Sequence, residues 1–361
     1  MKVKMRWKVK KIFLILVIMT FLLTGCKKNN DKEVLREFTN KVNNADSYYL
    51  KGTMELVNNE DIYNYDIQVS YQKDDFYRIE LVNVINDHKQ IILRNKDGVY
   101  IVTPSLNKSF KFQSDWPYNN SQVYLLSSLM DDIMNDEGRK FQKIDENYVF
   151  TATVNYPNNE KLVNQKVYLG KDYLPVKVEV MDADGNVQIK MNFEKIDLRT
   201  EFNETYFDLN SILDTNKTSN SNTSSEDNNS NNNENQEPGN DQKEKETATI
   251  EDIIYPMYLP VNTYLTNTER VNTDDGERLI LTFSGDSPFV LMEQIAKYSE
   301  TPEIISTYGD VELIGSSLAV VNDNSANWFL DGIEYYVVSD VMNSEELLQV
   351  VRSISVLPVS K

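Results

Sequence analysis

Two stretches of strict two-residue alternation constrain this chain more than anything else in it. In 63–71, Tyr63, Tyr65, Ile67, Val69 and Tyr71 alternate with Asn64, Asp66, Gln68 and Ser70. In 187–194, Val187, Ile189, Met191 and Phe193 alternate with Gln188, Lys190, Asn192 and Glu194. Successive side chains of a strand point to opposite faces, so both stretches predict antiparallel sheet with one face wet and one covered. Val176, Val178 and Val180 make a third such strand, and Asp184-Gly185 supplies the hairpin turn that follows it. Asp97-Gly98 predicts a second hairpin between Gln90–Arg94 and Val99–Thr103. Cover comes from two helical stripes. Val34, Leu35, Phe38 and Val42 follow the capping pair Asn30 and Glu33, and Val123, Leu126, Met130 and Ile133 share a face in 121–134. The expected fold is α+β, with one long, curved antiparallel sheet wrapped over helices in residues 31–213.

The sheet-forming pattern stops at a break. Thr215 to Glu246 contains ten Asn and no aliphatic or aromatic residue. Such a stretch cannot bury apolar surface, so 214–247 is expected to be a disordered Asn/Ser/Glu-rich linker. At a coil span of roughly 30 Å it would let whatever follows roam. Residues 248–361 then read as a small α+β domain. Leu259–Thr266, Arg278–Phe283, Val311–Val321, Ala326–Leu330 and Ile333–Ser339 read as strands. Ser287-Pro288 reads as the start of a helix bearing Phe289, Met292 and Ala296. A last helix opens near Asn343, with Glu346 three residues on, and buries Leu347, Val351 and Ile354.

The first 25 residues differ from the rest. Lys2, Lys4, Arg6, Lys8, Lys10 and Lys11 precede an apolar run from Ile12 to Leu23, the layout of a secretory signal, short for a membrane span. The run ends in Leu23-Thr24-Gly25-Cys26, which resembles a bacterial lipobox. The resemblance implies cleavage before Cys26 and a diacylglycerol thioether on it. Residues 26–30 would be a lipidated tether, and the protein would sit on the extracytoplasmic face of the cell or spore membrane, held by acyl chains worth about 0.8 kcal/mol per buried CH₂.

Composition removes whole classes of chemistry. The net charge of −19 includes six basic residues before Cys26, so the remainder is more acidic still and offers no basic face for nucleic acid. One Cys and one His exclude an internal disulfide, a Cys/His zinc site and a two-His metal motif. His88, between Asp87 and Lys89, reads as a solvated turn residue. The pairs Asp74-Asp75, Asp131-Asp132 and Glu345-Glu346 read as solvated charges rather than catalytic couples. Asp182-Ala183-Asp184-Gly185 reads as a hairpin rather than a calcium loop. No phosphate-cradling Gly loop is present, and neither an enzyme nor a cofactor is expected. Tyr48, Tyr49, Tyr63, Tyr65 and Tyr71 suit half-exposed sheet and equally suit an apolar groove, with Trp116 and Tyr118 as its candidate mouth.

The alternating strands, the segment Asp115-Trp116-Pro117-Tyr118-Asn119-Asn120-Ser121 leading into a helix, and the lipobox together carry a resemblance. The chain resembles the lipoprotein-carrier superfamily typified by LolA, and more closely the Gram-positive lipoproteins of the GerS and YdcC kind. That resemblance implies an unclosed antiparallel β-barrel covered by helices over 31–213, and a membrane-anchored, non-enzymatic role in spore formation or germination, with a peptidoglycan-processing partner such as an N-acetylmuramoyl-L-alanine amidase. It leaves open a second role, binding a lipid acyl chain or lipoprotein in an apolar cavity of the half-barrel. Asn327-Trp328-Phe329-Leu330-Asp331-Gly332-Ile333, Val338-Ser339, Ser344 to Leu348 and Arg352-Ser353-Ile354 look like a C-terminal domain of unknown function. That domain is found in Firmicute exported and anti-sigma-type membrane proteins.

Overall fold

The computed structural model describes residues 30–58, 61–113, 116, 120–214, 249–274 and 276–354. The lipobox and almost all of the expected linker lie outside them. The chain begins with α1 (Asp31–Asn43), whose N-cap Asn30 accepts from the Glu33 N–H at 2.8 Å, and which buries Val34, Phe38 and Val42. Six antiparallel strands follow as a meander: β1 (Ser47–Asn58), β2 (Asp61–Gln72), β3 (Phe76–Asn83), β4 (Lys89–Asn95), β5 (Gly98–Thr103) and β6 (Lys108–Phe112). Helix α2 (Leu126–Asn135) crosses to β7 (Lys140–Ile144), β8 (Asn147–Thr153), β9 (Asn164–Leu169), β10 (Pro175–Met181) and β11 (Val187–Asp197), and β11 returns to pair with β1.

The order β6-β5-β4-β3-β2-β1-β11-β10-β9-β8-β7 makes one long sheet whose two ends do not pair, so the barrel is unclosed. Alternation decides which face is dry. Tyr63, Tyr65, Ile67 and Val69 of β2 lie in the first core with Phe38 of α1 and Leu126, Leu129 and Ile133 of α2. At Gly52 the β1–β11 register slips by one residue; a Cβ there would meet the Asn192 carbonyl at 2.1 Å, so the bend needs glycine. Residues 202–213 pack a smaller cluster, Phe207, Leu209, Ile212 and Leu213, against Ile91, Leu93, Tyr100 and Val102.

The C-terminal half adds β12 (Thr263–Thr273), β13 (Gly276–Gly285), β14 (Phe289–Ile295), β15 (Glu303–Thr307), β16 (Asp310–Leu313), β17 (Leu318–Val321), β18 (Ser325–Leu330), β19 (Ile333–Val338) and α3 (Ser344–Arg352). Seven strands form a second sheet in the order β12-β13-β14-β19-β18-β17-β16. Three expectations are corrected here. Residues 289–295 are strand rather than helix, because β14 sits between β13 and β19 and buries Phe289, Leu291 and Glu293 in alternation. The strand expected from Leu259 begins only at Thr263, after Pro260 and a left-handed Asn262 at φ 55°. The run 311–321 is a hairpin, β16 to β17, turning through Gly315 at φ 87°. Asn343 does cap the last helix, accepting from the Glu346 N–H at 2.9 Å.

The C-terminal half does not stand free. Strand β15 leaves its own sheet and pairs in parallel with β6, becoming the twelfth strand of the first sheet. Ala296, Val311, Leu318, Val320 and Phe329 belong to the first core, not the second. Among the described residues no helix is long and apolar enough to cross a membrane.

Candidate functional site

The inner face of the first sheet, which packs against α1 and α2, also takes side chains from the C-terminal half. The contact is built from strand ends upward. Beside β6, the Ser299 N–H donates to the Leu106 carbonyl and the Glu303 N–H to the Asn107 carbonyl, each at 3.0 Å, while Asn107 Nδ2 donates to the Ser299 carbonyl at 2.7 Å. Asn107 takes a left-handed φ of 55° to do this. Phe110 of β6 stacks on Phe329 of β18 at 5.1 Å, and the Lys108 ammonium lies over the same ring and 3.1 Å from Glu303.

Deeper in, the β16–β17 turn is threaded into the sheet. Tyr65 Oη donates to the Gly315 carbonyl. Gln90 Oε1 accepts from Ser317 Oγ at 3.1 Å and from the Leu318 N–H, so a fully buried amide on β4 reads the turn's backbone. A Cβ on Gly315 would come within 3.1 Å of the Tyr63 ring.

A polar belt closes the far side. Asn158 Nδ2 donates to Glu312 Oε1 at 2.9 Å, and Arg352 Nη2 donates to the Asn158 carbonyl at 3.3 Å and stands 3.9 Å from the Glu312 carboxylate. Asn58 Nδ2 donates to the Arg352 carbonyl at 2.8 Å, tying β1 to the end of α3. Burial raises the Glu312 pKa, only partly offset by Asn158 and Arg352, and burial lowers that of Arg352. The buried hydroxyls of Tyr124 and Tyr156 face this acid and are held protonated by burial. Asp132 of α2 lies behind them. Its Oδ1 accepts from Ser121 Oγ at 2.9 Å and its Oδ2 from Gln165 Nε2 at 2.7 Å. Burial nonetheless pushes it up to about 6, so it is not the solvated charge its sequence context suggests.

His88 also departs from expectation. It is half-buried, its Nε2 is enclosed without a hydrogen bond, and burial lowers its pKa against the pull of Asp331. It lines a cavity of about 330 Å³ at the junction of the halves, where Asn86 Nδ2 donates to Asp331 Oδ1 at 3.1 Å. Among the described residues the imidazole bonds to no hydroxyl or carboxylate, so nothing there resembles a nucleophile–base pair. Asp182 organises its own hairpin, accepting from the N–H groups of Asp184 and Asn186 at 3.0 and 2.8 Å.

The remaining sequence candidates divide. Trp116 is 5 % exposed inside the first core, and its carbonyl accepts from Arg94 Nη1 at 2.7 Å, so it packs rather than rims a groove. Tyr118, Leu23, Thr24, Gly25 and Cys26 lie outside the described residues. Tyr48, Tyr63 and Tyr65 are buried on the concave face and Tyr71 stacks on Tyr48 at 4.9 Å, whereas Tyr49 faces outward to Gln68. Sequence reading missed Gln90, Glu312, Gly315, Ser317 and Arg352. The one local signal was Gly315-Ser316-Ser317 interrupting an apolar run.

These features define a class: an unclosed antiparallel half-barrel wrapped over helices, its inner core completed by side chains from a second half of the same chain. The family model for sporulation protein YdcC-like chains matches residues 7–207. Sporulation protein YdcC of Bacillus subtilis (strain 168) is 30 % identical over 350 residues, covering 96 % of this chain and 97 % of that one. The chain belongs to the YdcC-like family of sporulation proteins. Among solved structures, the MucA/MucB complex of Pseudomonas aeruginosa covers 88 % of this chain and 97 % of its own matched chain, at 13 % identity and a TM-score of 0.30. A LolA-superfamily protein of Nitrosomonas europaea covers 50 % and 97 %, at 12 % and 0.28. The CwlD amidase of Clostridioides difficile in complex with the GerS lipoprotein covers 50 % and 100 %, at 16 % and 0.21. These are distant likenesses, and the fold assignment rests on the strand order itself.

Proposed function

We propose that this protein is a membrane-anchored, non-enzymatic lipoprotein that works in spore formation or germination by binding a peptidoglycan-processing enzyme. The observation that carries this reading is the filled concave face. Ala296, Val311, Leu318, Val320 and Phe329 take the apolar volume that a carried acyl chain would need. Binding is then left to outer faces and edges, which suit a protein partner. Membership of a sporulation family supports the setting. The anchor is the diacylglycerol expected on Cys26, which would place the protein on the extracytoplasmic side. The enzyme class, an N-acetylmuramoyl-L-alanine amidase, comes from the resemblance to GerS-type lipoproteins.

The test is a gentle purification of tagged, full-length protein from sporulating cells. A stoichiometric cell-wall enzyme with no bound lipid supports the proposal. A stoichiometric acyl lipid and no protein replaces it with lipid binding.

A further inference from the structure

A sheet edge presents a row of unpaired N–H and C=O groups, and proteins blunt such edges with shortness or charge. Three of the four edges here are blunted. Strand β7 has five residues and carries Lys140 and Lys143; β15 has five and opens on Glu303; β16 has four and carries Asp310 and Glu312. The fourth edge is different. Strand β12 has eleven residues, pairs with β13 alone among the described residues, and is exposed at seven consecutive positions from 264 to 270, where its charges, Glu269 and Arg270, stand together at the far end. The chain leading into it is apolar and open to solvent: Met257 is 86 % exposed, Val261 81 % and Tyr264 60 %, with Tyr255 and Leu265 beside them. From Ile253 to Thr268 there are sixteen residues without one charged side chain, in a half with eighteen acidic and five basic residues.

We propose that β12 and the ledge 255–265 form the docking site for an extended, uncharged segment of a partner protein, which adds to the sheet as an eighth strand. The inference rests on the partner-binding reading above and locates its surface. Three observations select this occupant. The free ladder asks for another backbone, which lipid cannot supply. The uncharged stretch admits an apolar segment that the surrounding acidic surface would not repel. A second copy of β12 fits poorly, because the bulge between Leu265 and Asn267 would break a two-fold pairing in both strands. The molecule itself already uses strand addition, at β15 on β6.

The experiment places the photo-crosslinking residue p-benzoylphenylalanine at Tyr264 of the full-length chain in sporulating cells. The expected result is a crosslink to one contiguous, uncharged segment of one protein. A synthetic peptide of that segment should then bind the purified chain. Tyr264→Lys with Thr268→Lys, both at exposed positions, should weaken it at least tenfold with an unchanged circular dichroism spectrum. Gln142→Lys on the β7 edge should leave binding unaltered. Crosslinks to a second copy, to residues 355–361 of the same chain, or to lipid overturn the proposal. A co-purified enzyme whose binding is insensitive to the double substitution overturns it and leaves the partner reading standing. Absence of any protein in both experiments overturns both.

Discussion

Gly315 concentrates the residue-scale logic of the interlock. Its φ of 87° is left-handed, and the space where a Cβ would go is taken by Tyr63 and Asn58. Gly315→Ala should lower stability by about 1–3 kcal/mol, the usual range for a strained backbone position. Gly185 is the control, since its φ is 86° and nothing lies within 4 Å of its Cβ position. If Gly185→Ala costs as much in a chemical melt, the contact at Gly315 contributes nothing. Titration gives a second residue-scale test. Burial raises Asp132 from 3.8 to about 6, and buried Glu293, which accepts from the Ile254 N–H at 3.1 Å, from 4.5 to about 7. Between those values the native chain holds more protons than the unfolded one, so these groups make stability fall as pH rises from about 4 to 7. Asp132→Asn should flatten that slope between pH 4 and 6. A slope unchanged by the substitution would mean that the carboxylate is not desolvated.

Elements were legible in the sequence where one face is wet and the other dry. Strands β2 and β11 could be read because in 63–71 and 187–194 their polar residues share the face away from the first core, and only Ser70 among them is buried, under Tyr206. Strand β14 could not, because Glu293 sits on its buried face and breaks the period-two pattern, leaving Phe289, Met292 and Ala296 to mimic a helical stripe. The interlock itself was invisible for a different reason. Gln90 and Ser317 are 227 residues apart, and each looks locally like an ordinary polar residue. The aromatic stack of Phe110 on Phe329 is the element-scale counterpart of that bond. Phe329→Ala should cost about 3–5 kcal/mol, as truncations of buried aromatics do. A double-mutant cycle with Phe110→Ala should return a coupling of about 0.5–1.5 kcal/mol. Zero coupling would place the two rings in independent cores.

For the whole molecule, the sequence indicated two units and a spacer, and the structure joins them through a shared sheet and a shared core. Built this way, the first sheet turns its inner face to its own helices and to side chains of the C-terminal half. Cys26→Ala should release the protein from the membrane fraction without altering its melt; retention would contradict the anchor. The C-terminal half completes the fold of the N-terminal one, through β15 on β6 and through Phe329 in the first core. Trp116 reports on the first core and Trp328 on the second. The direct measurement is urea unfolding of two variants of the chain following Cys26, Trp328→Phe and Trp116→Phe, each leaving one fluorescent reporter. Within each variant, reporter fluorescence is compared with far-ultraviolet circular dichroism. Coincident transitions in both variants are expected, because the two halves unfold as one. A half that loses its fluorescence signal at lower urea than the bulk secondary structure would mean that the two halves fold independently.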